Sequence, residues 1–189
     1  MRIIAGTYKS RAVKPAKTKG VRPTSDKVKG ALFNMLEPWE GLKVLDLYSG
    51  TGNLGIEALS RGATDVVFVD HEPLNAKLIR ENLASLGLKE GAGPPRIQIR
   101  CQEVSLAVYQ LKKEGKTFDV ILADPPYAPG AAKIVQNLVA EYPLLSQGGI
   151  LAIEHGEKDP DLAPDFPHEL VRQRKYGETL LSVFGAAVK

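Results

Sequence analysis

Short apolar runs alternate with amphipathic stretches along most of this chain, and that alternation restricts its fold more than any other feature. Five runs predict strands: KVLDLY (43–48), DVVFVD (65–70), RIQIRC (96–101), FDVILAD (118–124) and GILAIE (149–154). The stretches between them predict helices at 53–61, 73–86, 103–113 and 131–142. We therefore expect an α/β protein with a doubly wound parallel sheet, right-handed crossovers and helices on both faces.

The alternation ends after residue 154. Residues 169–175 and 179–184 predict two further strands, joined by a tight turn at 176–178. These strands would complete a seven-stranded sheet with an antiparallel hairpin.

The amino-terminal part has a different pattern. Segments 2–5 and 8–13 predict a β-hairpin, and apolar residues at helical spacing predict a leading helix at 25–37. We therefore expect a basic hairpin and loop (1–23) followed by one main domain (24–189).

Charge is unevenly distributed along the chain. The net charge is only +3, but residues 1–30 hold nine cations and one anion, whereas the rest holds 16 cations and 21 anions. A basic arm on a mildly acidic body is expected where one edge of a protein binds a polyanion. A solvated charged tail is the alternative, although apolar residues such as Ile3, Tyr8 and Val13 lie among these charges.

Composition excludes several other classes of protein. No run approaches the eighteen or so apolar residues of a membrane span. Cys101 is the only cysteine, and the three histidines have no metal-ligand spacing. We expect a cytoplasmic monomer with no metal and no membrane partner.

The segment VLDLYSGTGNLG contains G-x-G-x-x-G at Gly50, Gly52 and Gly55, and Asp70 closes the next predicted strand. This arrangement is typical of a nucleotide-binding loop followed by an acid that binds ribose hydroxyls. Asp46, at the carboxyl end of the first strand, would repel a pyrophosphate and attract an ammonium group. S-adenosylmethionine, which is cationic and has no phosphate, therefore fits better than the alternative, a nicotinamide cofactor.

The tetrapeptide DPPY (124–127) ends the fourth predicted strand. Its two prolines stiffen the chain and remove two N–H donors, so the Asp124 carboxylate and the backbone carbonyls form a site that only accepts hydrogen bonds. Such a site suits an amino group on a nucleobase, and Tyr127 can stack on a base that has left its helix.

Methyl transfer to an exocyclic amine follows from this arrangement. Hydrogen bonds to Asp124 and to the Pro125 carbonyl would localise the amine lone pair for in-line attack on a sulfonium methyl group. An ionised aspartate matches the adjacent N1–H and N2–H₂ donors of guanine better than the edge of adenine. Adenine or protein glutamine as the target stays open, because enzymes acting on them share both motifs.

DPPY together with DLYSGTGNLG (46–55) is the combined signature of amino methyltransferases. MRIIAGTYKSR (1–11), VRPTSDKVKGALFNML (21–36), GIEALSRGA (55–63) and KYGETLLSVF (175–184) resemble the bacterial family of 16S rRNA guanine-N2 methyltransferases. The resemblance spans nearly the whole chain. It implies strand order 3-2-1-4-5-7-6 and methylation of one guanine in 16S rRNA, within the 30S subunit or an assembly intermediate.

By position, the resemblance also implies three groups of site residues. They are Asp46, Tyr48, Gly50, Thr51, Gly52, Asp70, Gln102 and Glu103 for the cofactor; Asp124, Pro125, Pro126 and Tyr127 for catalysis; and Arg22 and Thr24 for RNA at the border of the active site. The charge pattern of the basic arm adds Lys9, Arg11 and Lys14 as RNA-binding residues. A non-catalytic ribosome-assembly protein would keep the basic arm but would have no use for the acceptor site at DPPY.

Overall fold

The computed structural model of this protein describes residues 1–15, 26–157, 162 and 165–185. In these ranges the helices are α1 (Asp26–Met35), α2 (Asn53–Ser60), α3 (Pro73–Ser85), α4 (Val104–Lys113) and α5 (Ala131–Glu141). The strands are β1 (Lys43–Leu47), β2 (Asp65–Asp70), β3 (Arg96–Cys101), β4 (Phe118–Ala123), β5 (Leu145–Gly156), β6 (Glu169–Tyr176) and β7 (Thr179–Gly185).

The strands form one sheet in the order β3-β2-β1-β4-β5-β7-β6. Strands β1 to β5 are parallel, and β7 pairs antiparallel with both β5 and β6. The predicted fold class and strand order are therefore confirmed. Because the chain winds in opposite directions from β1 and β4, a crevice forms beyond their carboxyl ends, which is where open α/β sheets bind ligands.

Alternate strand residues pack into two cores, one on each face of the sheet. Val66 and Phe68 belong to the core under α1, α2 and α3, whereas Val67 and Val69 belong to the core under α4 and α5. Burial on both faces explains why the parallel strands are almost continuously apolar. Among the described helices, none has the length and apolar character needed to cross a bilayer.

Strand β5 starts earlier than the sequence predicted. It begins at Leu145 rather than at residue 149, and its register with β4 shifts between Phe118 and Val120. The sequence does not predict the first residues of β5, because the adjacent glycines Gly148 and Gly149 are more typical of a turn than of a strand interior.

The N-terminal arm (residues 1–15) reverses direction as predicted, and three backbone hydrogen bonds join residues 1–3 to residues 10–13. The pairing is shorter than the strands predicted at 2–5 and 8–13. A single bridge joins Arg2 and Ala12. The reason is that backbone donors at the turn bind α2 instead of a partner strand: the amides of Ile4 and Ala5 donate to the Glu57 carboxylate at 2.8 and 3.1 Å. The boundary expected at residues 23 and 24 lies outside the described residues.

Gly6 allows the arm to lie directly on α2. Its φ is +80°, and a Cβ built on it would lie 1.8 Å from the carbonyl oxygen of Ser60. The Thr7 amide donates to that same oxygen at 2.7 Å. No residue with a side chain fits there unless the arm moves away from the helix.

We expect Gly6→Ala to lower the free energy of unfolding by more than about 2 kcal/mol, because it combines a left-handed φ with a backbone clash. Gly87→Ala is the matched control: its φ is +78°, and nothing lies within 4 Å of the added Cβ. It should cost only about 1 kcal/mol. Urea unfolding of both variants checks this, and equal losses would contradict the proposed close contact at Gly6.

Candidate functional site

The candidate site lies beyond the carboxyl ends of β1, β2, β4 and β5. The register pairs Leu47 of β1 with Ala123 of β4, so the next residues, Tyr48 and Asp124, leave the sheet side by side. The glycine loop (residues 48–52) and the DPPY segment (residues 124–127) therefore share one edge of the sheet. The sequence had predicted this juxtaposition from parallel strand order alone.

The glycine loop is held in a strained, tightly bonded conformation. Tyr48, Gly50 and Gly52 have φ values of 58°, 53° and 78°. The amide of Gly52 donates to the Ser49 carbonyl at 2.7 Å. A positive φ is unusual for an aromatic residue, and such outliers concentrate at ligand-binding sites.

Asp46 is a nearly fully buried carboxylate under this loop. It is 1% exposed, and its Oδ2 accepts a hydrogen bond from the Gly55 amide at 2.9 Å. Burial raises the pKa of Asp46 to about 7. The charge of Asp70 also raises this pKa, and the hydrogen bond from Gly55 opposes the rise. A cationic group beside Asp46 would therefore favour its ionised form.

Gly55 allows α2 to approach β2 closely. A Cβ at this position would lie 2.3 Å from Cε1 of Phe68 and 3.0 Å from Oδ2 of Asp46. The third glycine of the motif thus has the helix-to-strand packing role expected of it.

Asp70 connects the glycine loop to the start of α3. Its Oδ2 accepts from the Gly50 amide at 2.8 Å, and its Oδ1 accepts from the Glu72 amide at 2.9 Å and from Nδ2 of Asn75 at 3.1 Å. A carboxylate has about four acceptor positions, so these three bonds leave capacity for one ribose hydroxyl. These carboxylates fit a cationic nucleoside without phosphate, because Asp70 can accept from a ribose hydroxyl whereas an ionised Asp46 would repel a pyrophosphate.

Gln102 and Glu103 follow β3 beside this acid. The Gln102 amide donates to the Asp70 carbonyl at 3.0 Å, while its side chain bonds Gln110 at 3.0 Å. Glu103 is exposed at the start of α4. Burial raises the pKa of the Tyr48 phenol, and the charge of Glu103 raises it further.

The DPPY segment has a half-buried Asp124, a buried Pro125 and an exposed Pro126. Tyr127 is 50% exposed, yet its hydroxyl donates to Oε1 of Glu154 at 2.9 Å and also bonds Thr179 at 3.0 Å. Burial raises the pKa of this phenol, which keeps it protonated. Residues of β5 and β7 thus hold the Tyr127 hydroxyl while half of the side chain stays exposed.

The predicted RNA-binding residues of the arm divide into three cases. Lys9 is exposed in the turn of the arm. Arg11 donates to the Ser85 carbonyl, and Lys14 pairs with Glu81 at 3.1 Å while staying 63% exposed. Arg22 and Thr24 lie outside the described residues.

Sequence reasoning missed several buried polar residues around the site, among them Lys29, Glu57 and Asn82. Lys29 was counted among the arm's cations, yet its side chain is fully buried against Glu57 at 3.2 Å. Asn82 of α3 is 1% exposed and bonds both the arm and the glycine loop. An acidic residue inside the apolar helix NLGIEALS was the one signal that could have revealed Glu57.

A family model described as conserved hypothetical protein 95 matches residues 1–185. The chain belongs to this family. The resemblance read from the motifs is thereby confirmed, because the family covers almost the whole sequence and its relatives include rRNA methyltransferases.

The chain is also similar to individual proteins. YlbH of Bacillus subtilis, named as a putative rRNA methyltransferase, is 36% identical over 187 residues, covering 97% of this chain and 98% of that protein. Ribosomal RNA small subunit methyltransferase D of Haemophilus influenzae is 31% identical over 166 residues, covering 87% and 83%. The structure of a hypothetical protein of Thermus thermophilus has a TM-score of 0.82 at 27% identity, covering 98% and 99%.

The raised pKa of Asp46 predicts that the free energy of unfolding depends on pH. Between its ordinary value of 3.8 and about 7, the folded protein binds a proton that the unfolded chain releases. The Asp46 contribution to the free energy of unfolding should therefore fall as pH rises through this window and stay low above it. Asp46→Asn, which can still accept from Gly55, should be more stable than wild type at pH 8.

Urea unfolding at pH 5 and pH 8 measures this difference. The control is Asp65→Asn, at the amino end of β2 and so at the edge of the sheet opposite the site. The advantage of Asp46→Asn should shrink at pH 5. If Asp46→Asn were less stable than wild type at pH 8, the prediction would be wrong, because the fold would then stabilise the ionised carboxylate of Asp46.

Proposed function

We propose that this protein transfers a methyl group from S-adenosylmethionine to the exocyclic N2 of a guanine in 16S rRNA of the small ribosomal subunit. One observation carries the proposal. The buried Asp46 and its glycine loop share an edge of the sheet with an acceptor-only DPPY segment, on a chain with a basic arm. The name of the Haemophilus influenzae relative supports small-subunit rRNA as the substrate.

The glycine loop would hold the methyl donor. Asp46 would stabilise its ammonium group, Asp70 would accept from a ribose hydroxyl, and Gln102 or Glu103 would lie near the adenine. When bound, S-adenosylmethionine supplies an electrophilic methyl group on a sulfonium. The loop therefore needs carboxylates rather than the phosphate-binding groups of a nicotinamide site.

Asp124 and the Pro125 carbonyl would hold the target amine. Each accepts one N–H of the amino group, which localises the nitrogen lone pair and aims it at the methyl carbon. In the transfer that these acceptors would position, the amine nitrogen would bond the methyl carbon as the bond from that carbon to sulfur breaks, with its electron pair left on sulfur as a thioether. The surplus amine proton would leave to solvent. A neutral leaving group removes the need for a strong base, so positioning supplies much of the acceleration.

Tyr127 would stack on the flipped guanine. Its hydroxyl bonds to Glu154 and Thr179 hold the ring in place before the base arrives. A ring that is already fixed costs less side-chain entropy on binding. This arrangement suits a base taken out of its helix, as enzymes acting on bases require.

The N-terminal arm would bind the RNA backbone. Lys9, Arg11 and Lys14 lie exposed along it, and Arg22 and Thr24 belong to the same basic segment by sequence. The partner is 16S rRNA within the 30S subunit or an assembly intermediate, bound by a cytoplasmic monomer.

A methyl-transfer assay with labelled S-adenosylmethionine tests this function. It compares four substrates: unmethylated 30S particles, naked 16S rRNA, duplex DNA and a glutamine peptide. We expect label on a guanine N2 in the particle, located by mapping the product. Label in DNA or peptide alone would overturn the choice of substrate. Stabilisation of the protein by NAD but not by S-adenosylhomocysteine would overturn the choice of cofactor.

Asp124→Ala should lower the rate of methyl transfer at least about a hundredfold while S-adenosylhomocysteine still binds, because the variant lacks the carboxylate proposed to hold the target amine. Asp65→Ala, at the amino end of β2 and away from the site, should retain wild-type transfer. Single-turnover assays compare them. Wild-type rates in Asp124→Ala would refute the assigned mechanism.

Lys9→Glu should weaken binding to 30S particles and reduce the slope of log affinity against log salt by about one unit, as loss of one phosphate contact requires. Lys133→Glu makes the same charge change on α5, on the opposite face of the sheet from the arm. It should leave the salt slope unchanged. If the two variants had equal effects, the arm would not be the part of the protein that binds RNA.

A further inference from the structure

Asn82 of α3 links the N-terminal arm to the glycine loop. Its Oδ1 accepts from the Lys14 amide at 2.9 Å, and its Nδ2 donates to the Lys14 carbonyl at 3.3 Å. The same Nδ2 donates to the Thr51 carbonyl at 3.0 Å. The side chain is 1% exposed. One buried amide thus bonds two segments that are 37 residues apart in sequence.

The chemistry of this link requires an asparagine. A side-chain amide offers two donor hydrogens and an acceptor, and here both hydrogens and the oxygen are used. Aspartate would keep the acceptor for Lys14 but would lose both donors. Leucine would fill a similar volume and lose every bond, which leaves buried backbone groups without partners.

The Thr51 contact fixes one peptide plane of the glycine loop. The carbonyl of the peptide between Thr51 and Gly52 accepts from Asn82, and its N–H donates to the Ser49 carbonyl at 2.7 Å. Rotation of this peptide is therefore blocked from both sides. The conformation of the loop on this flank thus depends on where α3 and the arm hold Asn82.

The Lys14 contacts fix the arm at the same place. Lys14 also pairs with Glu81 through its Nζ, and Arg11 donates to the Ser85 carbonyl. The last turns of α3 therefore carry two of the cationic residues proposed to bind RNA. Any displacement of the arm by RNA, or any ordering of it, acts on Asn82 directly.

We propose that Asn82 is a positioning residue that couples the RNA-binding arm to the glycine loop, so that RNA and cofactor each strengthen the binding of the other. The inference rests on the proposed function for the identity of the two ligands. A ligand that binds the arm in its docked position stabilises the bonds of Asn82 to Lys14, and the same side chain holds the Thr51 carbonyl. A ligand on the glycine loop acts on the arm through the same bonds, and the two effects are equal by thermodynamic reciprocity.

The test measures one ratio, the affinity for unmethylated 30S particles with saturating S-adenosylhomocysteine divided by the affinity without it. Wild type should give a ratio of about five or more. Asn82→Leu should bring the ratio towards one. Asn82→Asp keeps an oxygen that accepts from the Lys14 amide but loses the hydrogen bond to the Thr51 carbonyl. This variant provides the test if Asn82→Leu does not fold.

Ser60→Ala is the matched control. Ser60 is 1% exposed and also anchors the arm, because its Oγ donates to the Ala5 carbonyl at 2.6 Å and accepts from the Tyr8 amide at 3.0 Å. It lies at the far end of α2 from the glycine loop. Its loss should loosen the arm but preserve the ratio, whereas a purely structural role of Asn82 predicts the same ratio in both variants.

Three outcomes decide the matter. A ratio that falls in the Asn82 variants and persists in Ser60→Ala supports the coupling. An unchanged ratio in the Asn82 variants, an equal fall of the ratio in Ser60→Ala, or a ratio of one in wild type overturns it. Failure of wild type to bind S-adenosylhomocysteine or 30S particles at all would instead refute the proposed function.

Discussion

The buried carboxylate of Glu57 is the interaction on which the arrangement of this protein depends. Its two oxygens accept four hydrogen bonds, from the amides of Ile4 and Ala5, from Lys29 and from Arg61. These bonds fill the acceptor capacity of a carboxylate. Burial lowers the pKa of Lys29, and the charge of Glu57 opposes that shift. Removing Glu57 would leave the buried Lys29 ammonium without its carboxylate, which is far costlier than losing a surface ion pair.

Glu57 lies on α2, the helix that begins at the glycine loop, so the same bonds that dock the arm also orient the proposed cofactor site. Lys29 reinforces this connection, because its Nζ donates to the Arg2 carbonyl and to Oδ1 of Asn53, both at 2.7 Å. Asn82 adds the second link, from Lys14 to Thr51. The arm is therefore built into the main core rather than appended to it, and Ile3 and Val13 pack there.

Predictions from the sequence succeeded where local pattern and parallel topology suffice. The strand runs, the G-x-G-x-x-G loop and the DPPY segment each follow from residue type and spacing, and parallel strands bring their carboxyl ends to one edge. The two strands predicted in the arm pair over a shorter length than expected, because apolar alternation does not reveal that Glu57 and Ser60 accept from amides that a longer ladder would need. Lys29 was misassigned for a similar reason, since a lysine in a basic run is usually exposed.

The sequence by itself determined the class of fold, the two motifs and the chemistry they permit: a carboxylate-lined nucleoside site beside an acceptor-only segment. These properties depend on side-chain chemistry and short-range geometry. Only the tertiary structure decided how the parts are held. It placed Tyr127 against Glu154 and Thr179, buried Lys29 on Glu57, and put Asn82 between Lys14 and Thr51. Such contacts join residues far apart in the chain, and a buried polar side chain finds its partners only when the whole core has formed.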